Sequence, residues 1–369
     1  MVKASTTATL CSNATSQLTA DDYAQFFSTK IERIRASTAT APSPIIEDRH
    51  IPEPLSAFEP ATAEEILKIL NRSTAKQCQL DPAPTWLIKR VSGILAPVIA
   101  NMCNASFQQG KVPISSKKAI VRPLLKKQTL DPNELNSYRP ISNLSFASKI
   151  VEKVVDARLA EHTTKYNLLP VLQSAYRPFH STETAVICVM NDMIKAIDQG
   201  HVGALMLLDL SAAFDLVDPS ILKDVMQRRF GVCGKALAWL ADFLSDRTQV
   251  IHACSRESIT ANLVSGVPQG SVLGPKQFIQ YAEDVTRLLQ KHELLYHLFA
   301  DDMQGMLHGP PADVPRIVST LTDCFTDVSH WCAAKRLQLN ARKTEVLWFG
   351  SAANCQWRTK RKSYRRHNL

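Results

Sequence analysis

Ala204-Leu205-Met206-Leu207-Leu208-Asp209 is the stretch on which the fold turns. A near-continuous apolar run of this length is the signature of a strand covered on both faces. Packing alone would close it with another Val or Leu, yet it closes with an acid. Downstream, residues 294–307 read as two further strands meeting at Asp301-Asp302. Between and around these runs lie segments with helical periodicity. Residues 94–109 stop at Gly110, residues 150–159 carry Ile150, Val151, Val154, Val155 and Leu159, and residues 315–334 carry Ile317, Val318, Leu321, Phe325, Val328 and Trp331. Val186, Val189, Met190, Met193, Ile194 and Ile197 mark another helix closed by Gly200. Strands interleaved with amphipathic helices predict an α+β fold.

Paired acids at the tip of an apolar hairpin repel one another unless something offsets the charge. Alone, Asp301-Asp302 would be an ordinary solvated turn. Asp209 changes that, because two strands then deliver carboxylates to one sheet edge. Two-metal phosphoryl transfer requires this arrangement: one ion activates the attacking hydroxyl and the other holds the leaving group. Oxygen-only ligands select Mg²⁺, with Mn²⁺ as a substitute. Asp209, Asp301 and Asp302 are therefore the candidate metal ligands and catalytic acids.

The bulk properties fit a folded, globular chain: 45% hydrophobic and 21% charged over 369 residues. The formal charge is +9, but Arg358, Lys360, Arg361, Lys362, Arg365 and Arg366 supply six positives without an acid among them. A polyanion partner is thus only modestly supported by charge, and a solvated basic tail over residues 351–369 is the plainer alternative. The nine cysteines occur singly, without zinc spacing, as expected of reduced and mostly buried thiols. The first residues are polar and no apolar run approaches the ~20 residues of a membrane span. The expectation is an intracellular protein of nucleus or cytoplasm, not secreted and without a membrane partner. Residues 1–60 read as a linker around one short helix, with order beginning at the Thr62-Ala63-Glu64-Glu65 capping box.

Six blocks recur in order along the chain: Tyr138-Arg139-Pro140-Ile141-Ser142, Gln173-Ser174-Ala175-Tyr176-Arg177, Leu208 to Asp215, Gly266 to Pro275, Phe299-Ala300-Asp301-Asp302, and Leu339-Asn340-Ala341-Arg342-Lys343-Thr344-Glu345. Together they resemble the reverse-transcriptase domain of LINE-type (non-LTR) retrotransposons, and Leu80-Asp81-Pro82-Ala83-Pro84-Thr85 resembles its amino-terminal extension. The resemblance implies a right-hand polymerase: an extension and fingers over residues 61–200, and a palm with an antiparallel sheet packed on helices over 201–350. It implies RNA-directed DNA polymerase activity on an RNA template, a DNA primer and deoxynucleoside triphosphates. A retained fold without useful turnover, acting only as an RNA-binding module, is the alternative.

Block by block, the resemblance makes Asp209, Asp301 and Asp302 metal ligands, with the Leu210 carbonyl also facing a metal. Phe214 takes the place of the ring set against the sugar 2′ position; by itself it would read as a core phenylalanine. Gln269 and Gly270 line the nucleotide pocket. Lys343 takes the place of the lysine that protonates pyrophosphate. Arg139 and one of Lys126 or Lys127 clamp the triphosphate. Lys276-Gln277 departs from the family, which has two apolar residues there. Nothing upstream resembles an endonuclease, and residues 351–369 resemble neither the primer-gripping strand nor the helical thumb expected after Gly350.

Overall fold

The computed structural model describes residues 18–74 and 78–351. Helices α1 (Ala20–Thr38), α2 (Ala63–Arg72), α3 (Thr85–Arg90) and α4 (Ser92–Gln109) precede strands β1 (Lys118–Leu125) and β2 (Tyr138–Asn143). Helices α5 (Phe146–Lys165) and α6 (Thr182–Asp198) lead to β3 (Val202–Leu208). Helices α7 (Ala213–Leu216), α8 (Pro219–Arg228) and α9 (Gly234–Leu244) follow, then β4 (Arg247–Ala253), β5 (Arg256–Glu257) and β6 (Ala261–Leu263). The described residues finish with α10 (Gly274–Tyr281), α11 (Val285–Lys291), β7 (Leu295–Phe299), β8 (Asp302–Gly309), α12 (Val314–Ala334) and β9 (Glu345–Gly350). This mixture of sheets and helices is consistent with the reverse-transcriptase fold that the sequence blocks imply.

Two sheets organise the molecule. In the first, the order is β2-β1-β4-β5, with β6 also on β4, and β1 runs parallel to β4. In the second, all antiparallel, the order is β7-β8-β3-β9, which places β3 in the interior. Side chains alternate across a strand, so the apolar run of β3 serves two cores. Ala204, Met206 and Leu208 join the main core, to which α12 adds Ile317, Leu321, Cys324 and Val328. Leu205 packs on the opposite face with Ala196, Met306 and Phe349, beneath Val189, Met193 and Ile197 of α6.

Three expectations are corrected. Of the expected linker, residues 18–60 are not an irregular segment around one short helix. Helix α1 is 19 residues long and opens on a reciprocal capping box between Thr19 and Asp22. It packs Tyr23 and Phe27 on Val121 and Ile251 of the first sheet, while Ile34 enters the main core. Residues 39–62 lack regular structure but bury Ile46, Ile51 and Phe58. Gly231, at φ +62°, admits them: a Cβ there would lie 2.8 Å from the Ile51 side chain. Arg49 is anchored 3.6 Å from Glu283, which pairs with Arg229 at 2.5 Å in the interior. Each apolar residue of this segment is seated singly, so no periodicity announces it.

The expected division at residue 200 is also not a spatial one. Strand β4, expected in the second unit, pairs with β1. Helix α6 and residues 172–174, expected in the first, lie on the second sheet. The apolar stripe of α6 is only half used: Val186, Met190 and Ile194 remain 53%, 53% and 52% exposed. Thirdly, the described cysteines are not mostly buried; Cys103, Cys324 and Cys332 are, whereas Cys78 and Cys233 are half-buried and Cys188 and Cys254 are exposed. The basic cluster from Arg358 to Arg366 lies outside the described residues. No described helix is long and apolar enough to cross a membrane.

Candidate active site

The last register pair between β3 and β8 is Leu208 with Met303. Asp209, one residue beyond β3, and Asp302, the first of β8, therefore emerge at the same end of adjacent strands. Asp301 sits in the two-residue turn that joins β7 to β8, where Phe299 pairs with Asp302. Its neighbour Ala300 adopts φ +57°, a conformation that a side chain makes costly. The turn is held from outside by buried Gln173. Its Oε1 accepts the N–H of Ala300 at 3.1 Å and of Ala175 at 2.9 Å. Ser174 and Leu298 add backbone bonds, the Ser174 N–H to the Leu298 carbonyl and the Leu298 N–H to the Leu172 carbonyl, each at 2.9 Å.

Burial pushes the carboxyls of Asp301 and Asp302 up, and the Asp209 charge adds to both shifts while Lys343 opposes them. Asp209 is turned to a cation and an amide. Lys343 Nζ lies 3.2 and 3.1 Å from its two oxygens, and Asn340 Nδ2 donates to Oδ2 at 3.0 Å. The backbone fixes this approach: the Asn340 N–H donates to the Asp209 carbonyl at 2.8 Å, and the Ser211 N–H to the Gln338 carbonyl at 2.9 Å. That bridge between Leu210 and Leu339 makes no use of the Leu210 carbonyl. Among the described residues no three acidic, histidine or cysteine side chains converge to metal-ligand spacing. The donor set of three carboxylates and a carbonyl, all oxygen, suits a hard dication chemically. Lys343 pairs with Asp209 at 3.1 Å.

The block around Gln269 is stitched onto the turn after β3. Ser265 Oγ donates to the Asp215 carbonyl at 3.0 Å, the Gly266 N–H to the Val217 carbonyl at 2.8 Å, and the Val267 N–H to the Phe214 carbonyl at 2.8 Å. Gln269 Nε2 donates to both oxygens of Asp215, at 2.7 and 2.8 Å. Strand β2 clamps the other side, with the Ser142 N–H on the Gln269 carbonyl at 2.7 Å. Gly270 is at φ +127°, and a Cβ there would sit 2.3 Å from the Ser142 carbonyl oxygen. Only glycine permits that approach. Phe214 is partly buried, its ring 5.0 Å from that of Phe278, so it packs against the core as a lone phenylalanine would.

The remaining expected residues divide. Burial and the charges of Lys30, Arg139 and Lys343 together press the Lys126 ammonium below its usual range, so these four cations share one field. Lys126 Nζ donates to the Asn136 carbonyl. Lys127 is exposed and makes no side-chain hydrogen bond or ion pair among the described residues. Lys276, the departure from the family pattern, pairs with Asp156 at 2.7 Å, while buried Gln277 leaves its Oε1 without a partner.

Four contributors were not expected. Lys30 comes from α1, in what reads as linker. Asn340 and Asp215 lie inside quoted blocks, but their partners are remote in sequence. Glu152 of α5 is buried and accepts the N–H of Val272 at 2.7 Å and of Leu273 at 3.3 Å, fixing the far end of the Gln269 loop. A charged residue in the apolar stripe of a helix was the available signal for it.

Residues 125–364 match the family described as "Reverse transcriptase (RNA-dependent DNA polymerase)". The chain is 26% identical over 329 residues to the "Probable RNA-directed DNA polymerase from transposon BS" of Drosophila melanogaster, covering 80% of this chain and 35% of that protein. It is 25% identical over 308 residues to the "RNA-directed DNA polymerase from mobile element jockey" of the same organism, covering 81% and 32%. A third relative, the "Probable RNA-directed DNA polymerase from transposon X-element", is 27% identical over 63% of this chain and 25% of its own length. The chain thus spans about a third of the length of the first two relatives. With the family match running through more than half of its residues, the chain belongs to the reverse transcriptase family, in the LINE-type branch that its sequence blocks resemble.

Proposed function

We propose that this chain adds deoxynucleotides to a DNA 3′ end on an RNA template. The observation that carries the proposal is the emergence of Asp209, Asp301 and Asp302 at one end of β3 and β8, beside Lys343, whose charge also reaches Lys126, as do those of Lys30 and Arg139. Two Mg²⁺ ions, or Mn²⁺, held by these acids with the Leu210 carbonyl, would supply an activated 3′-hydroxyl and charge stabilisation at the leaving pyrophosphate. The protein's own residues do the rest. Lys126 and Arg139, with Lys30 beside them, neutralise and orient the triphosphate. Lys343 hands its proton to the departing pyrophosphate, a role for which it leaves Asp209. Phe214, its backbone fixed by Val267, stands as the steric barrier to a 2′-hydroxyl. The antiparallel β7-β8-β3-β9 sheet acts as the palm and the β1-β2-β4 sheet as the fingers.

Primer extension with the purified chain tests this. Mg²⁺ or Mn²⁺, an RNA template and a DNA primer should give deoxynucleotide addition, and Asp302→Asn should abolish it. Phe214→Ala should raise ribonucleotide incorporation far more than it lowers deoxynucleotide incorporation. Retained RNA binding without any extension would identify the chain as a binding module instead. Signal persisting in Asp302→Asn would mean that these acids do not run the chemistry.

A further inference from the structure

Resting on the assignment of the Gln269 pocket to the incoming nucleotide, we infer that Asp215 is a positioning residue. It holds the Gln269 amide with its nitrogen inward, so that Oε1 is offered to the nucleotide as a hydrogen-bond acceptor. The pocket then selects a nucleotide group that donates.

A glutamine amide is ambivalent: one end donates, the other accepts, and its shape does not choose between them. An ionised carboxylate does choose, because it can only accept. Both Asp215 oxygens lie within 2.8 Å of Gln269 Nε2, a charge-assisted contact that the reversed amide could not make. Oε1 has no protein partner among the described residues, and Gln269 is partly exposed.

The pair is not needed to hold the loop in place. The Ser265 hydroxyl and the Gly266 and Val267 N–H groups already tie residues 265–267 to the carbonyls of residues 214–217 in and just after α7, and the Ser142 N–H ties the Gln269 carbonyl to β2. Against this backdrop the side-chain contact determines only the direction of the amide. Nor does the carboxylate stabilise the fold: burial pushes it up to about 6, so carrying its charge at neutral pH is a cost. Lys30 relieves that cost in part. A strained acid kept beside a pocket residue is explained by what it does to that residue.

Asp215→Asn keeps the size but can donate as well as accept, which frees the amide to reverse. In primer extension by the full chain, Asp215→Asn should raise the deoxynucleotide KM ~10-fold, the scale of one fixed hydrogen bond, with kcat within ~2-fold. Its thermal midpoint should equal or exceed the parent's. Gln269→Ala should raise KM alike, and the double variant no further, because the two residues act as one unit. A lowered midpoint with kcat and KM damaged together, or additive effects in the double variant, would make Asp215 a structural staple and overturn the inference. A second measurement needs no turnover. In ¹⁵N-glutamine-labelled chain, the Gln269 side-chain amide signals, identified by their loss in Gln269→Ala, should shift on Asp215→Asn. Signals that do not move overturn the inference even in an active enzyme. If the parent chain adds no nucleotide, the proposed function fails while this measurement still decides the positioning role.

Discussion

At the scale of single residues, Asp215 makes the sharpest statement about pH. Its carboxyl is raised from 3.8 to about 6 in the folded chain, so the folded state binds its proton more tightly than the unfolded state. Stability from this group therefore falls as pH rises from about 4 to about 6, and stays at the lower level above that. Asp215→Asn removes the slope, which urea unfolding at a series of pH values would read. The proposed nucleotide pocket moves the opposite way. Below about 6 the protonated carboxyl can itself donate, the amide loses its fixed direction, and KM for the nucleotide should climb. Lys30 from α1 is the charged group that faces Asp215, and the 265–270 loop contributes no titratable one. The acid limb should vanish in Asp215→Asn; a limb that survives there belongs to another group. The three metal-binding candidates were legible because an acid closing an apolar strand contradicts its own pattern. The Asp215–Gln269 contact was not, since 54 residues separate the partners and neither breaks a local rule.

At the scale of elements, the long periodic runs were legible and the ties between them were not. Strand β3 and helix α12 lie where the periodicity puts them, because each buries a face wide enough to dominate its local sequence. Helix α6 shows the limit: six apolar positions mark it, yet β3 and its neighbours cover only part of the stripe. The elements around the site depend on two buried side chains that secondary-structure patterns do not mark. Gln173 carries the Ala300 turn and Glu152 carries the start of α10. Glu152→Ala would leave the N–H groups of Val272 and Leu273 without an acceptor in a dry setting. The expected loss is ~2–6 kcal/mol of unfolding free energy, at ~1–3 kcal/mol for each of the two orphaned groups. Glu152→Gln keeps an acceptor in place and should lose about half as much. Urea midpoints compare the three proteins; equal stability would show that the N–H groups find other partners.

At the scale of the molecule, the main core runs without interruption from Ile34 to Leu337, which is why no boundary at residue 200 survives in space. Composition and block order located the family, but not this interleaving, because pairing between β1 and β4 or between Gln173 and β7 leaves no trace in either segment alone. Helix α1 belongs to the same account: it rests on the first sheet through Phe27 and on the main core through Ile34, two turns apart. One consequence is practical. A gene cut after Gly200 encodes two polypeptides, one carrying β1 and β2 without β4, the other carrying the second sheet without α6. Neither half contains its own complement, so each should be insoluble or unstructured when produced alone. Produced together, they should reassemble, and circular dichroism with co-purification through a tag on one half would detect it. The chain is thus a natural substrate for a split reporter, whose signal would report the meeting of two halves rather than the folding of either.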